Sequence, residues 1–226
     1  MLDVLQSVQT RCFQQLKKQG TKFKNGIPKL NIKRLCSGNS KLDKSIMIFD
    51  LLAGKQTCGK ECHKCYAMKA QNQYSLTMLF RSINTVLAKE YPTVLKELIC
   101  DQISKSKTVK TVRVHSSGDF FSQAYINMWV DIMQEFPNIR FYTYTKRFRD
   151  GFDFSGIKAQ SNFNLIDSMV EIDGKLHLNY GNDAHVEKLV ELGYRVCPAV
   201  KTNWKGICGR DCDLCMKTDK VCFHIH

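Results

Sequence analysis

Along this 226-residue chain the apolar positions alternate between a helical period and short unbroken runs. Leu5, Val8, Cys12 and Leu16 recur every three or four residues and Gly20 follows them, which predicts an amphipathic helix with a glycine stop. SIMIFDLL (45–52) is a compact apolar run and predicts a buried strand. From Tyr66 the period turns helical, with Met68, Leu76, Leu79, Phe80, Ile83 and Leu87 on one face. Pro92 opens a further helix carrying Leu95, Leu98, Ile99 and Ile103 inward. TVRVHSS (111–117) predicts a strand. A helix with Ile126, Trp129, Val130 and Met133 on its inner face follows, capped by Ser122. Strands are expected at 139–145, 162–170 and 194–199, with a helix at 185–192 before the last of them. Alternating strands and helices predict an α/β fold: a partial (β/α) barrel-like parallel sheet with helices outside. In such folds functional groups collect in loops at the carboxyl ends of the strands.

Composition narrows the setting. Apolar residues make up 43% and charged residues 24%, as in an ordinary globular domain. No apolar run approaches the length of a membrane span, so no membrane partner is expected. The N-terminal stretch lacks the apolar block of a signal peptide, which points to a cytoplasmic protein. The net charge of +13 is uneven: residues 1–60 hold twelve Lys or Arg against three Asp or Glu. Much of the excess lies in TKFKNGIPKLNIKRLCSGNSKLDKS (21–45), which reads either as a solvated loop or as a surface for nucleic acid, with Lys22, Lys24, Lys33 and Arg34 facing phosphates. Residues 1–45 thus form an N-terminal helix and basic extension ahead of an α/β domain at 46–226.

The chemistry lies in the cysteines. CGKECHKC (58–65) and CGRDCDLC (208–215) repeat a C-x3-C-x2-C frame, each with Gly after the first cysteine and a basic–acidic pair before the second. Eleven cysteines in a cytoplasmic protein suggest metal ligands or buried thiols rather than disulfides. The pairs Cys62/Cys65 and Cys212/Cys215 are knuckles that would close one tetrahedral zinc site, leaving Cys58 and Cys208 idle. Iron–sulfur ligation uses all six, three thiolates per 4Fe-4S cluster, and is preferred for that reason. The 46–226 domain is therefore expected to carry cysteine-rich cluster-binding loops. Cys197 and Cys222 are both candidates for the fourth ligand at the second octet, whereas the first octet has only the distant Cys36. Cys12 and Cys100 fall on apolar helix faces and read as core thiols. In VRVHSSGDFF, Gly118 allows close backbone approach and Asp119 can accept a ligand's donor, or else the pair simply makes a turn. His224 and His226 share a face of the last strand.

The segments LLAGKQTCGKECHKCYAMKA, RVHSSGDFFS, FYTYTKR, FNLIDS, VCPA and CGRDCDLC…VCFHIH, in this order, resemble the gene product 88 family of phage proteins. That resemblance implies a phage origin and a host-cytoplasmic setting, with no particular reaction. The first octet is also similar to the cluster loop of radical S-adenosylmethionine enzymes. This likeness implies two 4Fe-4S clusters: Cys58, Cys62 and Cys65 as ligands of one with an open iron, and Cys208, Cys212 and Cys215 with Cys197 or Cys222 for an auxiliary one. It further implies that Ser117, Gly118 and Asp119 contact S-adenosylmethionine. The chain departs from that pattern at Lys64, where an aromatic is usual, and in reading SSGD. The function expected is radical chemistry on a nucleic acid or other macromolecule, supplied by an electron donor. The alternatives are a two-cluster electron-transfer protein without its own substrate, or a zinc-stapled nucleic-acid-binding protein.

Overall fold

The computed structural model describes residues 1–38, 40–59, 65–200 and 204–224. The chain forms two interleaved compact units: residues 1–36, 49–107 and 115–132 make the first, and 37–48, 108–114 and 133–226 the second.

The first unit is helical. Helix α1 (Leu2–Lys18) buries Leu5, Val8, Cys12 and Leu16, the stripe its spacing predicts, together with Gln9 and Phe13. Helices α2 (Lys55–Cys58), α3 (Tyr66–Gln73), α4 (Ser75–Glu90) and α5 (Pro92–Lys105) follow. The periodic stretch after Tyr66 is thus two helices, because Tyr74 takes an extended conformation and ends one while opening the next. Leu76 falls after that break and is exposed, so it leaves the expected inner face, while Leu79, Ile83 and Leu87 stay buried. Pro92 opens α5, where its missing N–H costs nothing. Helix α6 (Gln123–Glu135) starts in this unit, and Ser122 Oγ accepts from the Tyr125 N–H at 3.2 Å. Trp129, Phe49, Phe120, Tyr125 and His115 pack edge to face in its core.

The second unit carries most of a five-stranded, mostly parallel sheet in the order β1 (Cys36–Ser37), β2 (Ile46–Phe49), β3 (Thr111–Val114), β4 (Arg140–Thr145), β5 (Phe163–Asp167). The pairs β3–β4 and β4–β5 are parallel, with Val112 opposite Phe141 and Leu165 opposite Thr143. Four of the six residues of β4 are buried, as expected of a parallel strand covered on both faces. The short helix α7 (Ser155–Lys158) precedes β5.

The apolar run 162–170 is two strands rather than one. Asp167 Oδ1 accepts from the Met169 N–H at 2.8 Å, and this turn at Ser168 separates β5 from β6 (Met169–Ile172). Strand β6 pairs antiparallel with β7 (Lys175–Leu178) through Asp173 and Gly174, both at positive φ. This is an Asp-Gly hairpin that periodicity does not reveal.

Strand β8 (Tyr180–Gly181) precedes helix α8 (Asp183–Glu191), which Asn182 caps by accepting from the His185 N–H. The run 194–199 keeps only β9 (Arg195–Val196) as strand, Pro198 turning the chain into a 3-10 helix. Strand β10 (Val221–His224) lies between β8 and β9 and is parallel to both. Among the described residues, no helix is long and apolar enough to cross a membrane.

Candidate functional site

The second octet is a loop pinned by its own backbone. Cys208 forms a bridge to Leu42, with its N–H donating to Lys41 O and its carbonyl accepting from the Asp43 N–H, both at 2.8 Å. The Gly209 N–H then donates to Cys212 O at 2.7 Å, bringing the first two cysteines into one turn. Gly209 sits at φ +89°, and a Cβ there would meet Ile46 at 2.6 Å. In the first octet Gly59 sits at φ +73° as the left-handed cap of α2. The glycine after each leading cysteine is therefore a backbone requirement of the turn. Asp211 secures the turn from outside, its carboxylate accepting from the Ile207 N–H at 2.8 Å.

Two side chains of the sheet fix the third cysteine. Tyr144 Oη donates to Cys215 Sγ at 2.7 Å, and Asn164 Nδ2 donates to the carbonyls of Cys215 and Thr218 at 2.8 and 2.7 Å. Neither residue stands out in the sequence, since each is one more position of an apolar strand. Burial pushes the Cys215 thiol up, opposed by the Tyr144 hydrogen bond and the Arg113 charge. Cys208 is raised by burial and then by its neighbours Cys215 and Cys212.

Cys197 and Cys222 are adjacent in space but face opposite ways. Cys222 lies opposite Val196 in the β9–β10 ladder, so it shares the Val196 face, packed with Val170, Val186 and Leu189. Cys197 falls on the alternate face with Val221 and Ile166, against which Cys215, Leu214 and Tyr144 pack. Burial pushes the Cys197 thiol up to about 12; an Ala199 backbone hydrogen bond opposes this, and Cys215, Cys208 and Cys212 add to it. Cys222 is raised by burial, opposed by a backbone hydrogen bond. Among the described residues, no three His, Cys, Asp or Glu side chains converge on a single ion. Four thiols nevertheless collect around this loop, and their chemistry fits a cluster in which each thiolate takes its own iron.

In the first unit, Cys58 ends α2 and Cys65 stands immediately before α3; both are partly exposed, and Cys62 lies outside the described residues. Tyr66 Oη donates to Ser116 O at 2.7 Å, which joins the end of the octet to the loop after β3. That loop hangs on Asp50, whose carboxylate accepts from the Ser116 N–H, Ser116 Oγ and the Ser117 N–H, and pairs with Arg81 at 2.9 Å. A carboxylate in the apolar run SIMIFDLL is the one sequence signal for this hub. Ser117 and Asp119 are buried, and Asp119 Oδ1 accepts from the Phe120 N–H. At Gly118, φ is +81° and a Cβ would stand 2.6 Å from Leu51. The close approach there is to Leu51 and Leu52 of the chain itself. His115 is buried, bonds Tyr125 Oη at 2.8 Å, and is held neutral by burial, its pKa lowered to about 3.

Other expectations resolve simply. Cys12 and Cys100 are core thiols. His224 pairs with Asp183 at 2.9 Å, and His226 lies outside the described residues. In the basic segment Lys22, Lys24 and Lys33 are exposed. Arg34 corrects the expectation of a surface cation: it is fully buried, because Asn84 and the Asn31 carbonyl draw its guanidinium inward.

Comparison with known proteins gives a consistent result. Over 94 residues the chain is 28% identical to the Gene 88 protein of Mycobacterium phage D29 and 26% identical to that of Mycobacterium phage L5. Each alignment covers 39% of this chain and 39% of the relative, so the match spans about two fifths of those curated proteins. No solved structure matches. The family model described as Gene product 88 matches residues 16–223, nearly the whole length, and the chain belongs to that family.

Proposed function

We propose that this chain is an iron–sulfur protein of the phage-infected host cytoplasm, with one 4Fe-4S cluster at each cysteine octet. The observation that carries the reading is the gathering of Cys197, Cys208, Cys212 and Cys215 in the second unit, with Tyr144 donating to Cys215. Those four thiols would hold one cluster, and Cys58, Cys62 and Cys65 three corners of the other. A bound 4Fe-4S cluster supplies one-electron chemistry and, where one iron lacks a protein ligand, a corner that can take a ligand. The protein's own part is to fix the thiols on rigid turns, donate hydrogen bonds to sulfur and exclude water.

A radical S-adenosylmethionine-type activity is the reaction class that best suits the first octet. It is favoured by the Tyr66–Ser116 hydrogen bond, which ties the SSGD loop to the residue directly after the octet. The sequential strand order of the sheet also suits such a barrel. Ser117, Gly118 and Asp119 would then contact the cofactor, and the exposed Lys22, Lys24 and Lys33 would attract a nucleic-acid substrate. The burial of Ser117 and Asp119 favours the second reading, a two-cluster electron carrier served by an external donor.

Anaerobic purification with metal analysis and electron paramagnetic resonance tests these readings. About eight irons per chain are expected. Cys212→Ala should lose about half of them, Cys62→Ala the other half, and Cys100→Ala none. Stoichiometric zinc without iron overturns the proposal in favour of a zinc-stapled protein. If both clusters are present, S-adenosylmethionine should alter the spectrum of the reduced protein and yield 5′-deoxyadenosine. Neither effect would leave the electron carrier.

A further inference from the structure

A cavity of about 420 Å³ in the first unit lies between α1, the segment 28–36 and α4. Its charged lining is Lys29, Arg34, Asp50 and Arg81, and Leu79 and Phe80 contribute to an apolar wall. The carboxylate of Asp50 is already engaged by Arg81, Ser116 and Ser117. Arg34 is different. Its side chain is fully buried, yet it donates only to two neutral oxygens, Asn84 Oδ1 at 2.9 Å and Asn31 O. Its guanidinium lies over the Phe80 ring at 5.1 Å, and its Nε has no partner. No carboxylate pairs with it among the described residues.

A buried guanidinium without a counter-charge is costly, by several kcal/mol in typical cases. Burial lowers its pKa to about 10, which still leaves it charged at neutral pH. The Nε of Arg81 is likewise buried and unpartnered on the same wall. Three cations and one occupied carboxylate leave two positive charges uncompensated, the complement of a dianion. The apolar wall suits an organic body, and the volume is that of a small-molecule site.

We propose that this cavity binds a small organic phosphate, its phosphoryl group on Arg34 and Lys29 and its body along Phe80 and Leu79. The proposal does not rest on the iron–sulfur reading, although Asp50 and Arg81 of this lining also support the Ser116–Ser117 loop. Adenosine 5′-monophosphate and adenosine are the probes, applied to the full anaerobically purified chain by calorimetry and thermal unfolding. The monophosphate should bind and raise the unfolding temperature, and adenosine should do neither. Arg34→Met should weaken binding by more than about thirtyfold, as expected when a desolvated charge partner is removed. Without ligand, Arg34→Met should unfold at the same or a higher temperature, since an unpaired buried charge has been removed. Lys29→Ala, at an exposed position that leaves the fold alone, should weaken binding about two- to fivefold. Equal response to adenosine, no binding of the monophosphate at millimolar concentration, or unchanged affinity in Lys29→Ala and Arg34→Met overturns the proposal.

Discussion

Tyr144 illustrates how one hydroxyl would set the behaviour of the cluster proposed at the second octet. Its Oη donates to Cys215 Sγ at 2.7 Å from a buried strand. A donor aimed at sulfur stabilises the more negative, reduced state of a cluster more than the oxidised one. Tyr144→Phe should therefore lower the reduction potential of the cluster proposed at the second octet. A shift on the order of 50 mV, or about 1 kcal/mol for a one-electron couple, is expected. Spectroelectrochemical titration reads this directly, and an unchanged potential would show that the bond does not reach the cluster's electrons. His115 makes a different prediction. It is buried, sits at φ +67° and is held neutral with its pKa lowered to about 3. The unfolded chain takes up its proton near the ordinary histidine value of about 6.5. Between these values the unfolded state binds more protons, so the stability His115 contributes is complete above about pH 6.5 and is lost as pH falls toward 3. His115→Asn tolerates positive φ and removes the titration. It should flatten the decline of unfolding temperature between pH 6.5 and 4; an unaltered slope would assign the acid sensitivity to other groups.

At the scale of elements, the alternation of β9 and β10 separates two cysteines that look equivalent in the sequence. Cys197 shares a face with Val221 and the packed Cys215, and Cys222 shares the other with Val196 and Leu189. Cys197→Ser should cost the second cluster, about four irons, while Cys222→Ala keeps them at some loss of packing. Iron analysis of the two variants decides it, and loss from Cys222→Ala alone would reverse the assignment. The same ladder explains what is legible in the sequence and what is not. Helices α1, α5 and α6 can be read because their buried stripes, Pro92 and Ser122 are local signals. The break at Tyr74, the turn at Ser168 and the facing of Cys197 depend on partners far along the chain. Periodicity carries no information about those partners. The cysteine frames are legible as motifs, but the residues that hold the second one, Tyr144 and Asn164, lie on two separate strands, and Asp50, which holds the loop after β3, follows a third.

For the molecule as a whole, charge is the property that remains to be accounted for. The chain carries +13, and two clusters with their thiolates would each offset only about one to two charges. The excess in the first quarter is not all of one kind. Arg34 is buried and faces the cavity, whereas Lys22, Lys24 and Lys33 are exposed. These exposed lysines can release counterions from a polyanion, because they reach its phosphates through water, and the buried Arg34 cannot. If a nucleic acid is the partner, its affinity should fall steeply with salt. Replacing the three lysines by Gln should then flatten the slope of log affinity against log salt by about two to three, at roughly 0.7–0.9 for each phosphate no longer neutralised. Arg34→Met should leave that slope unchanged, which separates the surface from the cavity in one set of titrations. A salt slope indifferent to the lysines would mean that the segment serves solubility and not nucleic-acid binding.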